Sequence, residues 1–470
     1  MIERVDVAVV GAGPGGLSAA QAAAQAGARV ALIESHRHPG GQYFRQPVTP
    51  RGRESSARQR QGQALWEQAA AAGAQLLLNT VVWGLVEGNP LRLALHTAQQ
   101  AAALLKIEAQ ALILATGAHD RPVAFPSWTL PGVITAGAAQ TLLKEQGVSP
   151  GTRVLLAGTG PLQLVVAADL VRAGVEVVGV LEGSRLLRDG LRHAAALWGQ
   201  WERLDEGLRS SVTLRRHHVP LRNGWGIVAA EGREQVERAT IARLDEQWRP
   251  ISGSEETLAC DTVCLGYGFI PLNTLSRLVG AWQEWRPDLG GEVPVRDARM
   301  QTSVPGVYAV GDGAGIGGAA LAMVEGRIAG IAAAAGAGHG AAAAETAIQQ
   351  LAPPLARERR FQQMYAALFT PGPGLYELSR DDTILCRCEE VTQAEVRRAV
   401  ARGADSTGEV KAITRCGMGN CQGRMCSHLV AHCVARETGR SVAEVGLFRP
   451  RPPSSPSPLR RSPTRGPMVP

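Results

Sequence analysis

The sequence predicts an α/β protein with two β-α-β units built on one plan and a small helical module near its C-terminal end. Three observations carry this. The apolar run "VDVAVV" (5–10) leads into a glycine turn and then a helix. The same plan restarts at Thr152, about 150 residues later. Five of the eight cysteines crowd into two short loops between residues 386 and 426. With 470 residues, 45% apolar and 19% charged, the chain can bury the cores of about three domains.

In the first unit Gly11, Gly13 and Gly16 satisfy G-x-G-x-x-G directly after the strand, with Pro14 inside the turn. An Ala-rich helix follows, from about Leu17 to Ala26. Glycine permits the tight turn and lets backbone N–H groups reach a pyrophosphate at the positive end of the helix. The next strand, "VALIE", ends in Glu34, 23 residues after the first glycine, where an acid accepts both ribose hydroxyls. The competing reading is a turn that serves helix packing alone. The uncharged run from Val7 to Ala28 is a poor membrane span or signal sequence, because it holds several glycines, Pro14, Gln21 and Gln25.

Residues 55–72 read as a helix; "AQLLLNTVVWGLV", "PLRLALHT" and "LLKIEAQALILATG" read as strands, the last ending at "ATGA" (115–118). The second unit runs through strand "TRVLLAG", turn "GTGP", a helix to about Ala173, and strand "VEVVGVLE" ending at Glu182. Gly158 and Gly160 fit the motif, but Gln163 holds the third glycine position, where a side chain obstructs close helix-strand packing. Glu182 suits a ribose and repels a 2′-phosphate. An NADH site, a structural adenine nucleotide and an empty relic all remain open here. The strand "DTVCLGYG" then leads to "TSVPGVYAVGDGAG" and a helix from about Ala319 to Ala335. Cys260 and Cys264, a lone pair, read as core residues. The "AAAAGAGHGAAAAE" segment reads as a joining stretch, and the Pro/Ser/Arg-rich tail from Phe448 onwards as disordered.

Cys386 and Cys388 form C-x-C after the strand-like "TILCRC"; Cys416, Cys421 and Cys426 follow about thirty residues later, past the helix "QAEVRRAVARGA". Thiolates from two loops suit a [2Fe–2S] cluster or a structural zinc, either needing four ligands. Spacing alone does not choose among the five. A cytoplasmic protein is expected, and in such a reducing compartment clustered cysteines favour a metal over disulfides. The net charge of +7 owes five units to Arg449, Arg451, Arg460, Arg461 and Arg465, so the body has no basic bias that would suit nucleic acid; the basic tail reads as solvated, with contact to an acidic partner or the inner membrane face as the alternative.

Over residues 4–335 the chain resembles the two-dinucleotide-fold flavoproteins of the pyridine nucleotide-disulfide oxidoreductase superfamily. The resemblance makes both units Rossmann-like domains. It implies FAD at Gly11, Gly13, Pro14, Gly16 and Glu34, with Thr116 and Gly117 of "ATGA" beside the flavin, and Gly311 and Asp312 of "VYAVGD" at the ribitol. The superfamily's Cys-x-x-Cys beside the flavin is missing, which argues against thiol exchange there. "CRCEEVT" with "TRCGMGNCQGRMC" resembles the bacterioferritin-associated-ferredoxin (BFD) type of [2Fe–2S] domain. Its ligands carry over to Cys386, Cys388, Cys421 and Cys426, with Cys416 in reserve.

Together with "GGQYFRQ", which adds Gly41 and Gln42 to the flavin site, these segments resemble the A or α subunit of heteromeric flavin-dependent amine dehydrogenases over residues 4–446. That family includes opine oxidases, D-hydroxyproline and proline dehydrogenases and hydrogen cyanide synthase. The resemblance implies substrate oxidation on a β subunit of the amino-acid oxidase type, a small γ subunit, and a second flavin, FMN, at a subunit interface. The implied domains are FAD-binding (1–118 and 263–335), second nucleotide-binding (119–262, with Gly158, Gly160 and Glu182), Ala-rich linker and helix (336–380), [2Fe–2S] module (381–446) and tail (447–470). No catalytic constellation stands out; His119, His217 and His218 read as loop or surface residues. The alternatives are a stand-alone NAD(P)H-dependent ferredoxin-type reductase and a scaffold whose cofactors are structural.

Overall fold

The computed structural model describes residues 2–47, 56–86, 91–97, 105–184 and 196–451. Its first sheet is built on β1 (Ile2–Val10) and β6 (Leu105–Leu114), which pair in parallel along their length. Both are apolar on two faces from Val7 and Ala111 onwards, as strands covered by helices on both sides must be. The order is β3 (Gln75–Leu77), β2 (Val30–Ile33), β1, β6, β5 (Leu91–Thr97), β4 (Thr80–Val86). The far edge of β6 is shared: Leu105–Ala109 pair with β5, while Leu112–Leu114 pair with β19 (Val307–Ala309), which arrives from almost two hundred residues further on. The run read as one strand over 74–86 is broken into β3 and β4 by a turn at Asn79, whose φ is +50°.

β7 (Ala118–Asp120) continues from the end of this sheet and pairs antiparallel with β16 (Phe269–Pro271), so two crossing strands lead to and from the second unit. That unit is an all-parallel sheet of β11 (Leu221–Asn223), β10 (Glu176–Glu182), β9 (Arg153–Gly158), β15 (Thr262–Gly266) and β8 (Val133–Thr135). Cys264 lies inside β15 and Cys260 just before it; both are buried core residues, and burial pushes the Cys260 thiol up to about 11. A small antiparallel sheet, β12 (Trp225–Glu231), β13 (Arg238–Arg243) and β14 (Glu256–Ala259), and the hairpin β17 (Gln283–Arg286) with β18 (Gly291–Pro294) complete the body.

Helices α1 (Pro14–Gln25), α2 (Ala57–Ala71), α3 (Ala136–Thr141), α4 (Pro161–Arg172), α5 (Trp201–Arg216), α6 (Thr274–Leu278) and α7 (Ala319–Gly336) flank the sheets. α1 and α7 pack backbone to backbone: a Cβ on Gly326 would stand 2.1 Å from the Gly15 carbonyl oxygen, and one on Gly330 2.3 Å from that of Ala19. α7 is long and apolar enough to cross a membrane by length and composition, yet over half of it is buried inside the protein against α1. Its one acid, Glu325, is buried and takes a bidentate pair from Arg296 at 2.8 and 2.7 Å, and also accepts from the Gly311 amide at 2.9 Å.

Two expectations are corrected here. The Ala-rich stretch read as a joining segment (332–345) ends α7 and begins α8 (Ala341–Gln350), because alanine costs least of all residues to hold in a helix; α9 (Ala352–Phe369) follows directly, and Leu351 between them is buried in the same core as α1 and α7. The chain also stays folded past residue 447: Phe448 is 5% exposed, covers Gly417 and Gly423, and its carbonyl accepts from Arg277 at 2.9 Å. One large side chain over two glycines is enough apolar area to dock this end. The rest of the expected disordered tail, from 452 on, lies outside the described residues. The module before it consists of β20 (Ile384–Cys386), β21 (Val391–Thr392), α10 (Gln393–Ala401), α11 (Thr407–Thr414), α12 (Ser427–Thr438) and α13 (Val442–Val445), with a Thr392/Glu395 capping box starting α10.

Candidate functional site

Gly11, at φ +101°, has no room for a side chain, since a Cβ would stand 2.3 Å from the Ala115 carbonyl oxygen; on Gly16 it would stand 1.8 Å from that of Gly11. The turn is therefore clamped between β1 and the "ATG" end of β6. Gly41, at φ +59°, faces Gly13, where its Cβ would come 2.9 Å from the Gly13 Cα. Pro14 starts α1 with its missing N–H at a position that has no helical partner anyway.

Glu34 is 6% exposed at the end of β2. One carboxylate oxygen accepts from the Ala12 amide at 2.8 Å, and the other from the His36 amide and Nδ1, both at 2.8 Å, and from Ser35 Oγ. Burial works to raise its pKa, but the bonds from His36 and Ala12 outweigh it, so the carboxylate stays ionised and below its ordinary range. Across the cavity, Asp312 follows β19 and accepts from the Gly317 and Gly318 amides, each at 2.9 Å. There burial wins over those two bonds and raises its pKa. Gly313 packs on Thr116 and Gly117, and Thr116 Oγ1 donates to the Leu272 carbonyl at 2.6 Å. Gly11, Gly13, Pro14, Glu34, Gly41, Gln42, Thr116, Gly117, Gly311 and Asp312 line one continuous cavity. A glycine cradle with a buried acid at each end fits a dinucleotide: amides for phosphates, carboxylates for sugar hydroxyls.

The second glycine turn is different. Gly158, Gly160 and Glu182 do not line that cavity. α9 lies over the turn: Tyr365 Oη stands 2.8 Å and Phe369 Cγ 3.7 Å from where a Cβ on Gly160 would be, and the Trp248 ring sits on Gly183 beside Glu182. Glu182 is 7% exposed and already bound by the Gly160 and Ser184 amides and by Gln163 Nε2, each at 2.9 Å. Gln163 does not hold α4 off the sheet, as its position in the motif suggested. It is buried, with its amide turned onto Glu182.

Five thiols meet in the C-terminal module. The sulfurs of Cys386, Cys416 and Cys426, all buried, lie within 4.8 Å of one another. Cys421 is half-buried, and the thiols of Cys426 and the exposed Cys388 act on it to hold its pKa down at about 5. Bonds from Cys416 and Cys426 hold the Cys386 thiol far below its ordinary range. Glu390, Arg415 and Gln422, none of them glycine, sit in the left-handed region at φ +54°, +64° and +52°. Each is beside or near a cysteine of the group, and such strain, of order 1 kcal/mol or more per residue, persists where surrounding contacts dictate it. Gly419 leaves no room over Cys388, where its Cβ would stand 2.2 Å from that of the cysteine. Cys433, on α12, is outside the group, and burial pushes it up to about 11. A soft, clustered donor set of this kind fits a metal or an iron–sulfur cluster.

The module meets the body through residues that the motifs did not mark. His119 lies on β7, not in a loop, and its Nε2 stands 3.0 Å from the carbonyl oxygen of Arg424, inside the Cys421–Cys426 loop. His217 and His218 are exposed, as read. Arg121 is buried and donates to Tyr376 Oη at 2.6 Å and to the Phe269 and Gly290 carbonyls. His432 stacks on Tyr376 with ring centroids 3.5 Å apart, and Trp285 packs against both His428 and His432. A histidine two residues past "ATG" was visible in the sequence, but its partner 305 residues away was not.

The pyridine nucleotide-disulphide oxidoreductase family matches residues 5–338, and the sarcosine oxidase A3 domain matches residues 382–462. The chain is 36% identical to hydrogen cyanide synthase subunit HcnB of Pseudomonas aeruginosa, over 96% of this chain and 97% of that one. It is 36% identical to the A subunit of opine oxidase from Agrobacterium tumefaciens, over 96% of this chain and 90% of that one. Among solved structures, L-proline dehydrogenase from P. horikoshii superposes with a TM-score of 0.66 over 97% of this chain and 79% of that one, at 21% identity, which speaks for the fold.

Burial holds the His432 pKa down at about 3. The unfolded chain therefore binds a proton, below about pH 6.5, that the folded chain refuses. Stability is full above pH 6.5 and falls as pH drops toward 3, by up to ~1.4 kcal/mol per pH unit from this group. Urea unfolding between pH 7.5 and 5 is expected to show a flatter decline in His432→Phe, which keeps a ring against Tyr376; an unchanged slope would count against this assignment.

Proposed function

Since the chain belongs to the pyridine nucleotide-disulphide oxidoreductase family and is an oxidoreductase of its flavin-dependent kind, we propose that it is the α subunit of a heteromeric dehydrogenase or oxidase. The complex oxidises a secondary amine or an amino-acid-type substrate, such as an opine or proline. Oxidation takes place on a β subunit of the amino-acid oxidase type, with a small γ subunit completing the assembly and FMN at the interface. This chain holds FAD at the Gly11–Gly16 turn, Glu34, Gly41, Gln42, Thr116, Gly117, Gly311 and Asp312, and passes electrons on through a [2Fe–2S] cluster.

The observation that carries this reading is the placement of a buried-acid glycine cradle and a five-thiol group on opposite sides of one contact, His119 to Arg424, both of which line the same cavity. Flavin, when bound, supplies two-electron chemistry, and a cluster beside it lets electrons leave singly. The residues bind and orient. Amides of the Gly11–Gly16 turn receive phosphate, Glu34 and Asp312 receive hydroxyls, and the module buries the thiols of Cys386, Cys416 and Cys426. Relatives named as subunits support a partner chain. So does α5 at the cavity mouth, whose Trp201, Leu204 and Leu208 are exposed on one stripe. Clustered free thiols favour the cytoplasm.

The closed second turn speaks against the alternative, a stand-alone NAD(P)H-dependent reductase. With Tyr365 and Phe369 over Gly160, a nicotinamide dinucleotide has no pyrophosphate seat there. An adenine nucleotide would have to displace the same rings.

In an anaerobic visible titration of the purified full chain, neither NADH nor NADPH is expected to bleach the flavin or cluster bands within turnover time. Bleaching by either makes the protein a pyridine-nucleotide reductase. For the cluster, we assign Cys386, Cys388, Cys421 and Cys426 as ligands and Cys416, whose sulfur lies with those of Cys386 and Cys426, as the spare thiol. Cys416→Ala is then expected to keep its iron, whereas Cys426→Ala loses it; loss of iron from Cys416→Ala moves Cys416 into the ligand set.

A further inference from the structure

The flavin-side cavity and the thiol module are joined by one side chain that no motif accounts for. His119 is two residues past Gly117, on β7, and lines the cavity with Thr116, Gly117 and Asp312. Arg424, whose carbonyl it meets at 3.0 Å, lies in the six-residue loop from Cys421 to Cys426 and lines the same cavity. The carbonyl can only accept, so the imidazole carries its proton on Nε2 and donates. Its other nitrogen, Nδ1, is buried without a partner. Burial lowers the His119 pKa to about 4, so the ring is neutral at neutral pH and the donor is a fixed tautomer, not a titrating one. A buried, unpartnered ring nitrogen is costly and is kept only where the ring's position matters.

We propose that His119 is a positioning residue for electron transfer: its imidazole ties the Cys421–Cys426 loop to the flavin cavity and forms the short bonded path from flavin to cluster. The inference rests on the proposed FAD and [2Fe–2S] reading. In each event the reduced flavin loses one electron and the oxidised cluster gains it. No bond to His119 forms or breaks, and the ring takes up no proton. A one-electron acceptor downstream must reoxidise the cluster before the second event. The neighbouring contacts, Arg121 to Tyr376 and His432 on Tyr376, hold the module in place but lie off the loop that bears Cys421 and Cys426. They orient the domain, whereas His119 sets the last connection.

The test uses the full chain, anaerobically loaded with FAD and cluster, as wild type, His119→Ala and His119→Gln. The flavin is reduced by a light flash with a deazaflavin donor, and the growth of the reduced cluster is followed by absorbance and by its paramagnetic signal. His119→Ala is expected to slow cluster reduction by about tenfold or more, the scale of effect that misplacing a reacting partner produces. His119→Gln, which keeps an N–H for the Arg424 carbonyl, is expected to restore most of the rate. Flavin content, cluster content and both midpoint potentials stay as in the wild type. Transfer at the wild-type rate in His119→Ala overturns the proposal, and so does equal slowing in both variants with shifted potentials, which would mark a structural role. A wild-type chain that holds flavin and no cluster overturns the underlying functional reading instead.

Discussion

The architecture depends on the absence of side chains between α1 and α7. Gly15 and Ala19 on one helix meet Gly326 and Gly330 on the other so closely that a single added Cβ at either later glycine would enter a carbonyl oxygen. Because the two helices start at the two halves of the glycine-lined cavity, this contact brings together segments about 300 residues apart in the chain. The Gly11 turn opens α1, and Asp312 precedes α7 by one short loop. Glu325 adds the polar half of the clamp: it sits between Arg296 and the Gly311 amide and ties the second segment to the body. Such a buried charge pair adds little net stability, but losing either member leaves an uncompensated charge, so it fixes one arrangement over others.

Where function asks for a glycine, the sequence was easy to read. Gly11 and Gly16 announce their turn because no other residue tolerates those approaches, and Gly13 and Glu34 complete the spacing. The second unit was readable as a fold and less so as a site. Its Gln163 looked like an obstruction, while in the folded chain its amide satisfies Glu182, an arrangement that depends on the hydrogen bonds of a buried acid and not on the motif. What closes that unit, Tyr365 and Trp248, comes from elements 200 and 85 or so residues away, and no local pattern encodes such a lid. The same holds for Phe448, which reads as the first residue of a Pro/Ser/Arg tail and docks only because Gly417 and Gly423 leave it space.

The two glycine turns thus diverge within one chain. The first keeps an open cavity with acids poised for sugar hydroxyls. The second keeps the strand order and the acid yet lies under the aromatic rings of α9. The open seat is therefore the one at the first turn. The five-thiol module joins that seat across a face built from neutral histidines, a buried guanidinium and stacked rings.

The central claim is that one chain carries a flavin and a redox cluster side by side. Iron, acid-labile sulfide, zinc and FAD should be measured together on the anaerobically purified full chain. The account predicts about two irons and two sulfides for each FAD, as a [2Fe–2S] centre requires. Stoichiometric zinc without sulfide would contradict it and leave the thiols as a brace for the fold.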